Sequence, residues 1–363
     1  MKRFFGLPDV DWVMLASALI LSFIGIMIIR SATVNNPSEG YYLKQAYWLA
    51  VAVAAYFVGY FIDRRHLRRS AYLLYGAVFA VLTTLAVVGK ISGGVQRWIH
   101  IGGLTIQPSE IAKLALVLAL ARYFHKQKQS PPYGLDGIAV PMAMVAAYVI
   151  PVALQPDLGT AIFFILLAIP IFLMVGIKRW TILFMTGSAA LVAPFLFFTM
   201  KGYQQERILN FLNPERDPLG SGYHIVQSKI AIGSGGFFGK GYLQGTQSQL
   251  RFIPEQHTDF IVSVLGEEFG FVGIVLVLGL MLFLTLWMLS HVEATRTRFG
   301  VLTVVGISCG LAMQEVINIA MAIGILPVVG LPLPFLSYGG SSLVSVWLGL
   351  GIVAGFRRRK TWP

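Results

Sequence analysis

The run "FIVSVLGEEFGFVGIVLVLGLMLFLTLWML", residues 260–289, constrains this chain more than any other stretch. In hydrocarbon every backbone N–H and C=O must be satisfied within its own segment, and a crossing takes about 20 apolar residues. A run this long, charged only at Glu267 and Glu268, is a membrane helix. The rest of the chain agrees: 56% of its residues are hydrophobic and 12% charged, against about 25% charged in soluble domains. Mean hydropathy is +0.73. The apolar runs are continuous, without the strand-length alternation of outer-membrane barrels.

The expected fold is therefore all-α: a polytopic integral membrane protein of about ten transmembrane helices. The runs fall near 12–29, 44–62, 71–89, 109–124, 138–154, 158–176, 180–199, 259–289, 299–324 and 341–356. The first follows Met1-Lys2-Arg3, as a signal peptide would, but its length and the spans after it favour an uncleaved helix. The chain reads as one transmembrane domain over 1–363, with a large loop at about 200–258.

Charge orients the bundle. With both termini in the cytoplasm, the inner face takes seventeen of the 28 Lys and Arg, including "RRHLRR" at 64–69 and "RRRK" at 357–360. Five acids lie there: Asp9, Asp11, Asp63, Asp136 and Glu293. The whole net charge of +12 is then positive-inside bias, and a nucleic-acid partner is not needed to explain it. Anionic lipid suffices for the basic clusters. Cys309 is the only cysteine, which excludes an intrachain disulfide, and the six His have no metal-binding spacing.

The long connections, near 90–108, 200–258 and 325–340, all fall on the opposite face. They are rich in aromatic and apolar residues, as expected of segments that lie on a membrane and cover something. In the first, Gly93-Gly94 and Gly102-Gly103 mark turns around an amphipathic segment with Arg97. Gln107 and Pro108 lead into a helix for which Ser109 is a natural N-cap and Glu110 a suitable first-turn acid. Lys113 shares a face with Glu110. The pair is either a helical ion pair or a cation held just inside the lipid for an anionic ligand. In "LQPDLGTA", Asp157 either caps the next helix or joins the same site.

In the largest loop, Ile225, Lys229 and Ile232 recur at helical spacing before Gly233-Ser234-Gly235-Gly236, which predicts a helix lying in the interface. The glycines that follow do not form a P-loop, because no strand and no Gly-Lys-Ser/Thr accompany them. Asp259 then stands at the mouth of a span, beside Thr258, His257 and Glu255. That is more polar chemistry than capping requires, and it suggests a catalytic carboxylate. Glu267, Glu268 and Glu315 lie deeper and must be paired, neutral or water-lined.

These motifs together resemble the SEDS family of membrane proteins (shape, elongation, division and sporulation). The matching residues are "QRWIHIG" (96–102), "QPSEIAK" (107–113), "QPDLGTA" (155–161), "DPLGSGYHIVQSKIAIGSGG" (217–236), "GTQSQLRFIPEQHTDF" (245–260), "GEEFGFVG" (266–273) and "LPFLSYGGSS" (333–342). "GYHIVQSKIAIGSGG" and "GTQSQL" favour the cell-elongation branch over the division branch. The resemblance implies a peptidoglycan glycosyltransferase that polymerises lipid II at the outer surface of the bacterial cytoplasmic membrane. It also implies a class B penicillin-binding protein as partner. Asp259 matches the family's essential aspartate, and Lys113, Glu110 and Asp157 match polar positions on which the family depends.

Lipid II is an α-linked sugar pyrophosphate and its polymer is β-linked, so inversion calls for one general base, assigned to Asp259. Lys113 and Arg97 are the candidate cations for the pyrophosphate, with Gln107, Ser109, Glu110 and Asp157 completing the substrate set. Mg²⁺ is expected, if at all, mainly on the substrate's pyrophosphate, and no organic cofactor is expected. A lipid II flippase is the rival function, since intramembrane Glu267, Glu268 and Glu315 suit a transporter equally well.

Overall fold

The structure is a computed structural model that describes residues 10–35, 40–91, 96–101, 104–200, 202–213, 221–250, 252–253 and 255–357. The turn glycines Gly93, Gly94, Gly102 and Gly103, the terminal charges Lys2, Arg3, Asp9, Arg358, Arg359 and Lys360, and residues 217–220 of the quoted motif lie outside these. The helices are α1 (Trp12–Ala32), α2 (Tyr41–Phe61), α3 (Arg64–Ile91), α4 (Pro108–Lys126), α5 (Leu135–Leu154), α6 (Leu158–Val175) and α7 (Arg179–Thr199). After the short α8 (Gly202–Leu212), α9 (Ser221–Ser234) and α10 (Thr246–Gln249) come α11 (Ile261–Ser290), α12 (Arg298–Ala322) and α13 (Gly340–Arg357). Eight of them are long and apolar enough to cross a membrane. The two further runs read as spans, now α2 and α4, are 21 and 19 residues long and fall outside these eight, α2 being rich in tyrosine and α4 carrying charge at both ends. Polar α4 is tolerable because most of its length is buried among other helices.

Helix α4 packs on α3, α6 and α12, while α13 lies along α2 and α11 along α1. Gly351 is what lets α2 and α13 approach, since a Cβ there would strike the Tyr56 carbonyl. Leu73, Leu191, Phe195 and Phe198 stay exposed on the outside, as lipid-facing side chains do. Asp11 ties three helices together at the basic end. It caps α1 by accepting from the Met14 N–H at 3.0 Å, and it accepts from Trp287 Nε1 at 3.0 Å and meets His291 Nε2 at 2.7 Å. Arg357 at the end of α13 stands 3.5 Å away. Burial pushes the Asp11 carboxyl up, but these hydrogen bonds outweigh it and hold the group below the usual carboxylate range.

One element differs from expectation. The loop before α4 is a hairpin of β1 (Ile99–Ile101) and β2 (Leu104–Ile106), pairing Ile99 with Ile106. Helix α9 forms where the sequence places a helix and is anchored on one side: Ser228 is fully buried and donates to the Ala322 carbonyl at 2.5 Å, with Ser263 Oγ at 2.6 Å.

The opening run is not one straight helix. Gly270 interrupts α11 with φ +64° and ψ −163°. The backbone groups freed there are met by the Gly-rich segment after α9. Phe271 and Val272 N–H donate to the carbonyls of Gly236 and Phe237 at 3.0 and 3.1 Å. Lys240 and Gly241 N–H donate to the carbonyls of Glu267 and Glu268 at 3.0 and 2.9 Å. Irregular backbone at membrane depth survives only where protein satisfies it in this way. A side chain at 270 would have to adopt positive φ and would also press on the Phe237 carbonyl. Gly270→Ala is therefore expected to destabilise by about 1–3 kcal/mol, read as a lower melting temperature in detergent, and an unchanged melt would reject this account.

Candidate active site

Asp259 sits in a turn whose backbone is held on both sides. The N–H groups of Thr258, Asp259 and Phe260 all point at the Glu255 carbonyl, at 3.1, 3.1 and 3.4 Å, with Glu255 itself at φ +51°. The three successive carbonyls are also engaged: His257 by the Tyr338 N–H at 2.8 Å, Thr258 by Ser337 Oγ at 2.5 Å, and Asp259 by Asn318 Nδ2 at 3.1 Å. Helix α11 takes Phe260 as its N-cap, with no side-chain cap bond. Asp259 is thus not a capping residue.

Its carboxyl is pushed up to about 6, first by burial and then by the like charges of Glu255 and Asp157, while Arg207 of α8 opposes the shift. A carboxylate with this value is still ionised at neutral pH and is basic enough to take a proton.

Lys113 is fully engaged. Its ammonium donates to Glu110 Oε1 and Oε2 at 2.8 and 2.9 Å and to Gln314 Oε1 at 2.9 Å, and it stands 5.2 Å from the centre of the Phe163 ring. Of the two readings of Glu110 and Lys113, the ion pair is what the folded chain contains. Beneath the pair is a cavity of about 50 Å³ lined by Val117, Leu167, Ile307 and Gly310, among others.

Ser109 is not the N-cap it was expected to be. Pro108 takes the first helical position, where its missing N–H costs nothing, and this moves the cap back to Gln107. The Ser109 hydroxyl is left buried without a hydrogen-bond partner among the described residues. Gln107 N–H donates to Ser341 Oγ at 3.1 Å.

Asp157 does cap α6, accepting from the Thr160 N–H at 3.2 Å, and its charge also reaches Asp259. Arg97 is pinned next to it: Nε donates to the Gln155 carbonyl at 2.8 Å and Nη2 to that of Pro156 at 2.5 Å.

Segment 328–332 gathers these groups. Arg207 reaches the Val328 carbonyl at 3.4 Å, Gly159 of α6 packs on Val329, and a Cβ placed on Gly330 would lie 3.6 Å from Asp259 Oδ2. Gln314, which holds Lys113, donates to the Pro332 carbonyl at 2.8 Å. The deeper acids divide. Glu267 is structural, accepting from Lys240 Nζ at 2.8 Å, Gln247 N–H at 2.8 Å and Ser248 N–H at 3.0 Å. Glu268 accepts from Ser31, and one oxygen each of Glu268 and Glu315 has no hydrogen-bond partner among the described residues. Sequence reasoning missed Arg207, Gln314 and Asn318. The last two are carboxamides four residues apart within an apolar run, a spacing that puts them on one face of a helix but points to no partner. Among the described residues, no three His, Cys, Asp or Glu converge as metal ligands.

The arrangement defines a class: a polytopic helical membrane protein with a carboxylate of raised pKa, and a cation acting on it, at one mouth of the bundle. The chain belongs to the FtsW/RodA/SpoVE family of cell cycle proteins, whose profile matches residues 11–361. It is 40% identical over 356 residues to the peptidoglycan glycosyltransferase MrdB of Escherichia coli K12, covering 97% of this chain and 94% of that one. The peptidoglycan glycosyltransferase RodA of Treponema pallidum is 33% identical over 440 residues, covering 99% and 100%. Among solved structures, the rod shape determining protein RodA of Thermus thermophilus superposes with a TM-score of 0.71 at 29% identity, covering 98% of each chain. A chain from a peptidoglycan synthase complex that coordinates polymerization and crosslinking gives 0.82 at 31% identity, again covering 98% of each chain.

Proposed function

We propose that this peptidoglycan glycosyltransferase polymerises lipid II for cell elongation, with Asp259 as general base and its cleft facing outward from the cytoplasmic membrane. Asp259 takes the proton of the acceptor's 4-hydroxyl as that oxygen attacks the anomeric carbon. The bond to the pyrophosphate breaks on the opposite face, and the lipid pyrophosphate departs with the electron pair. One displacement inverts the α-linkage to β, without a glycosyl-enzyme intermediate.

The leaving group departs as an anion, so it needs positive charge rather than an acid. Arg207, whose charge acts on Asp259, and Arg97, held beside Asp157, are assigned to that purpose, and Lys113 supplies charge from deeper in the wall. The two acids acting on Asp259, Glu255 and Asp157, fit a Mg²⁺ carried in by the pyrophosphate better than a resident one. Bound there, it would neutralise diphosphate charge. A class B penicillin-binding protein would cross-link the strands.

The observation that carries this reading is the Asp259 carboxyl. It is at a helix mouth without capping the helix, half-buried, and raised to a value suited to taking a proton. Lipid II supplied to detergent-solubilised protein, where no second leaflet exists, should yield glycan polymer. Absence of polymer there would favour transport instead. The pH dependence tests the base directly. The rate should fall about tenfold per unit below pH ~6, because protonated Asp259 cannot accept. Arg207→Gln, removing the opposing cation, should move that limb to higher pH, and Glu255→Gln should move it lower. An acid limb near the ordinary carboxylate value in all three proteins would reject Asp259 as the titrating base.

A further inference from the structure

Two buried carboxamides on one face of α12 hold more of the site than the chemistry above uses. Gln314 and Asn318 are one helical turn apart, so their side chains leave α12 on the same face. Gln314 is 3% exposed and Asn318 fully buried. A primary amide inside an apolar helix bundle is costly unless its polar atoms find partners; here both amide nitrogens and Gln314 Oε1 are bonded in a consistent pattern, while Asn318 Oδ1 has no partner among the described residues. Gln314 accepts from Lys113 Nζ at 2.9 Å and donates to the Pro332 carbonyl at 2.8 Å. Asn318 donates to the Asp259 carbonyl at 3.1 Å and to the Leu331 carbonyl at 2.8 Å. Each amide thus grips one charged residue of the site and one of two adjacent carbonyls in the segment that closes over it.

The geometry points to Asn318 and Gln314 as positioning residues for glycosyl transfer, fixing the Asp259 backbone and the Lys113 ammonium to residues 331–332 so that one helical turn sets the separation of base and cation. This rests on the reading of Asp259 as the base. The Asp259 amide is already committed to Glu255, so its carbonyl is the second anchor that stops the peptide, and with it the carboxylate, from turning. A base displaced by about 1 Å can lose about 100-fold in rate. Asn318 supplies the anchor from a helix side chain rather than through the loop itself.

The test uses the full-length solubilised protein with lipid II as substrate. Asn318→Leu keeps the size of the side chain and removes its donor, and Gln314→Met does the same one turn away. Asn318→Leu is expected to lower kcat about 100-fold while KM changes less than about twofold. It should also shift the acid limb of the pH–rate profile toward the ordinary carboxylate range, as the freed carboxyl turns toward water. Gln314→Met should raise KM more than it lowers kcat. The double variant should lose less than the product of the two, because both amides fasten one segment.

A kcat for Asn318→Leu within about twofold of wild type overturns the proposal. So does a loss that tracks the unfolded fraction with the acid limb unmoved, which is the signature of a merely structural amide. If Asn318→Leu does not fold, Asn318→Ser retains one donor. An intermediate kcat with an intermediate limb supports the proposal, and a wild-type limb overturns it. Polymerisation by wild type but not by Asp259→Asn in the same assay secures the underlying reading separately.

Discussion

Replacing Asp259 by Asn yields a folded protein that polymerises lipid II about 10²–10⁴-fold more slowly, the range a positioned general base contributes. The fold survives because the carboxylate supports nothing structural. It does not cap α11, and among the described residues it accepts no hydrogen bond, while the turn is held through its backbone. Stability moves the other way. A carboxyl raised to about 6 is one whose ionised form the folded state disfavours. The wild type therefore loses stability as pH rises from the ordinary carboxylate range through about 6, and a neutral amide at 259 escapes that loss. The Asn variant should melt at or above the wild-type temperature at neutral pH. Glycan synthesis near the wild-type rate would remove Asp259 from the mechanism, and a collapsed melting temperature would make it a structural residue.

The spans were readable because lipid enforces a single rule, an apolar run of fixed length, and each run read from the sequence has a helix within a few residues of the expected bounds, except that α3 starts at Arg64 rather than near 71 because its first two turns are basic and carry no apolar signal. The break at Gly270 was not readable. Gly266, Gly273 and Gly279 share the same run, and which glycine leaves helical geometry depends on a segment about thirty residues upstream that bonds to the gap. Local periodicity carries no record of that partner. The hairpin at 99–106 was readable in principle. A two-glycine turn between short alternating runs is a strand signal, and the amphipathicity assigned to the segment belonged to period two.

The site divides along similar lines. Asp259 and Lys113 declare themselves by being charged at a membrane boundary, whatever surrounds them. Gln314 and Asn318 are uncharged and look like ordinary helix polarity until Lys113, from another helix, and residues 331–332 are seen bonded to them. Arg207 lies on a short amphipathic helix whose placement no pattern specifies, and its bearing on Asp259 appears only when α8 is folded over residue 328.

The pairing of Lys113 with Glu110 leads to the second large effect. Both side chains are buried, at 9% and 5% exposure, and they share a short ion pair. Lys113→Met alone leaves a buried carboxylate without its cation, a change that costs about 3–5 kcal/mol. Lost activity in that variant would therefore prove little about substrate binding. Lys113→Met combined with Glu110→Gln removes both charges and should recover most of the lost stability, because two neutral, well-packed side chains are no worse buried than an ion pair. Polymerisation, however, should stay suppressed if the ammonium's field at the cleft is needed as the pyrophosphate departs. Melting temperature and glycan yield, measured on the two single variants and the double variant, separate the possibilities. Recovery of both would make the pair a strut for the N-terminal end of α4. Recovery of stability alone assigns the cation to the substrate.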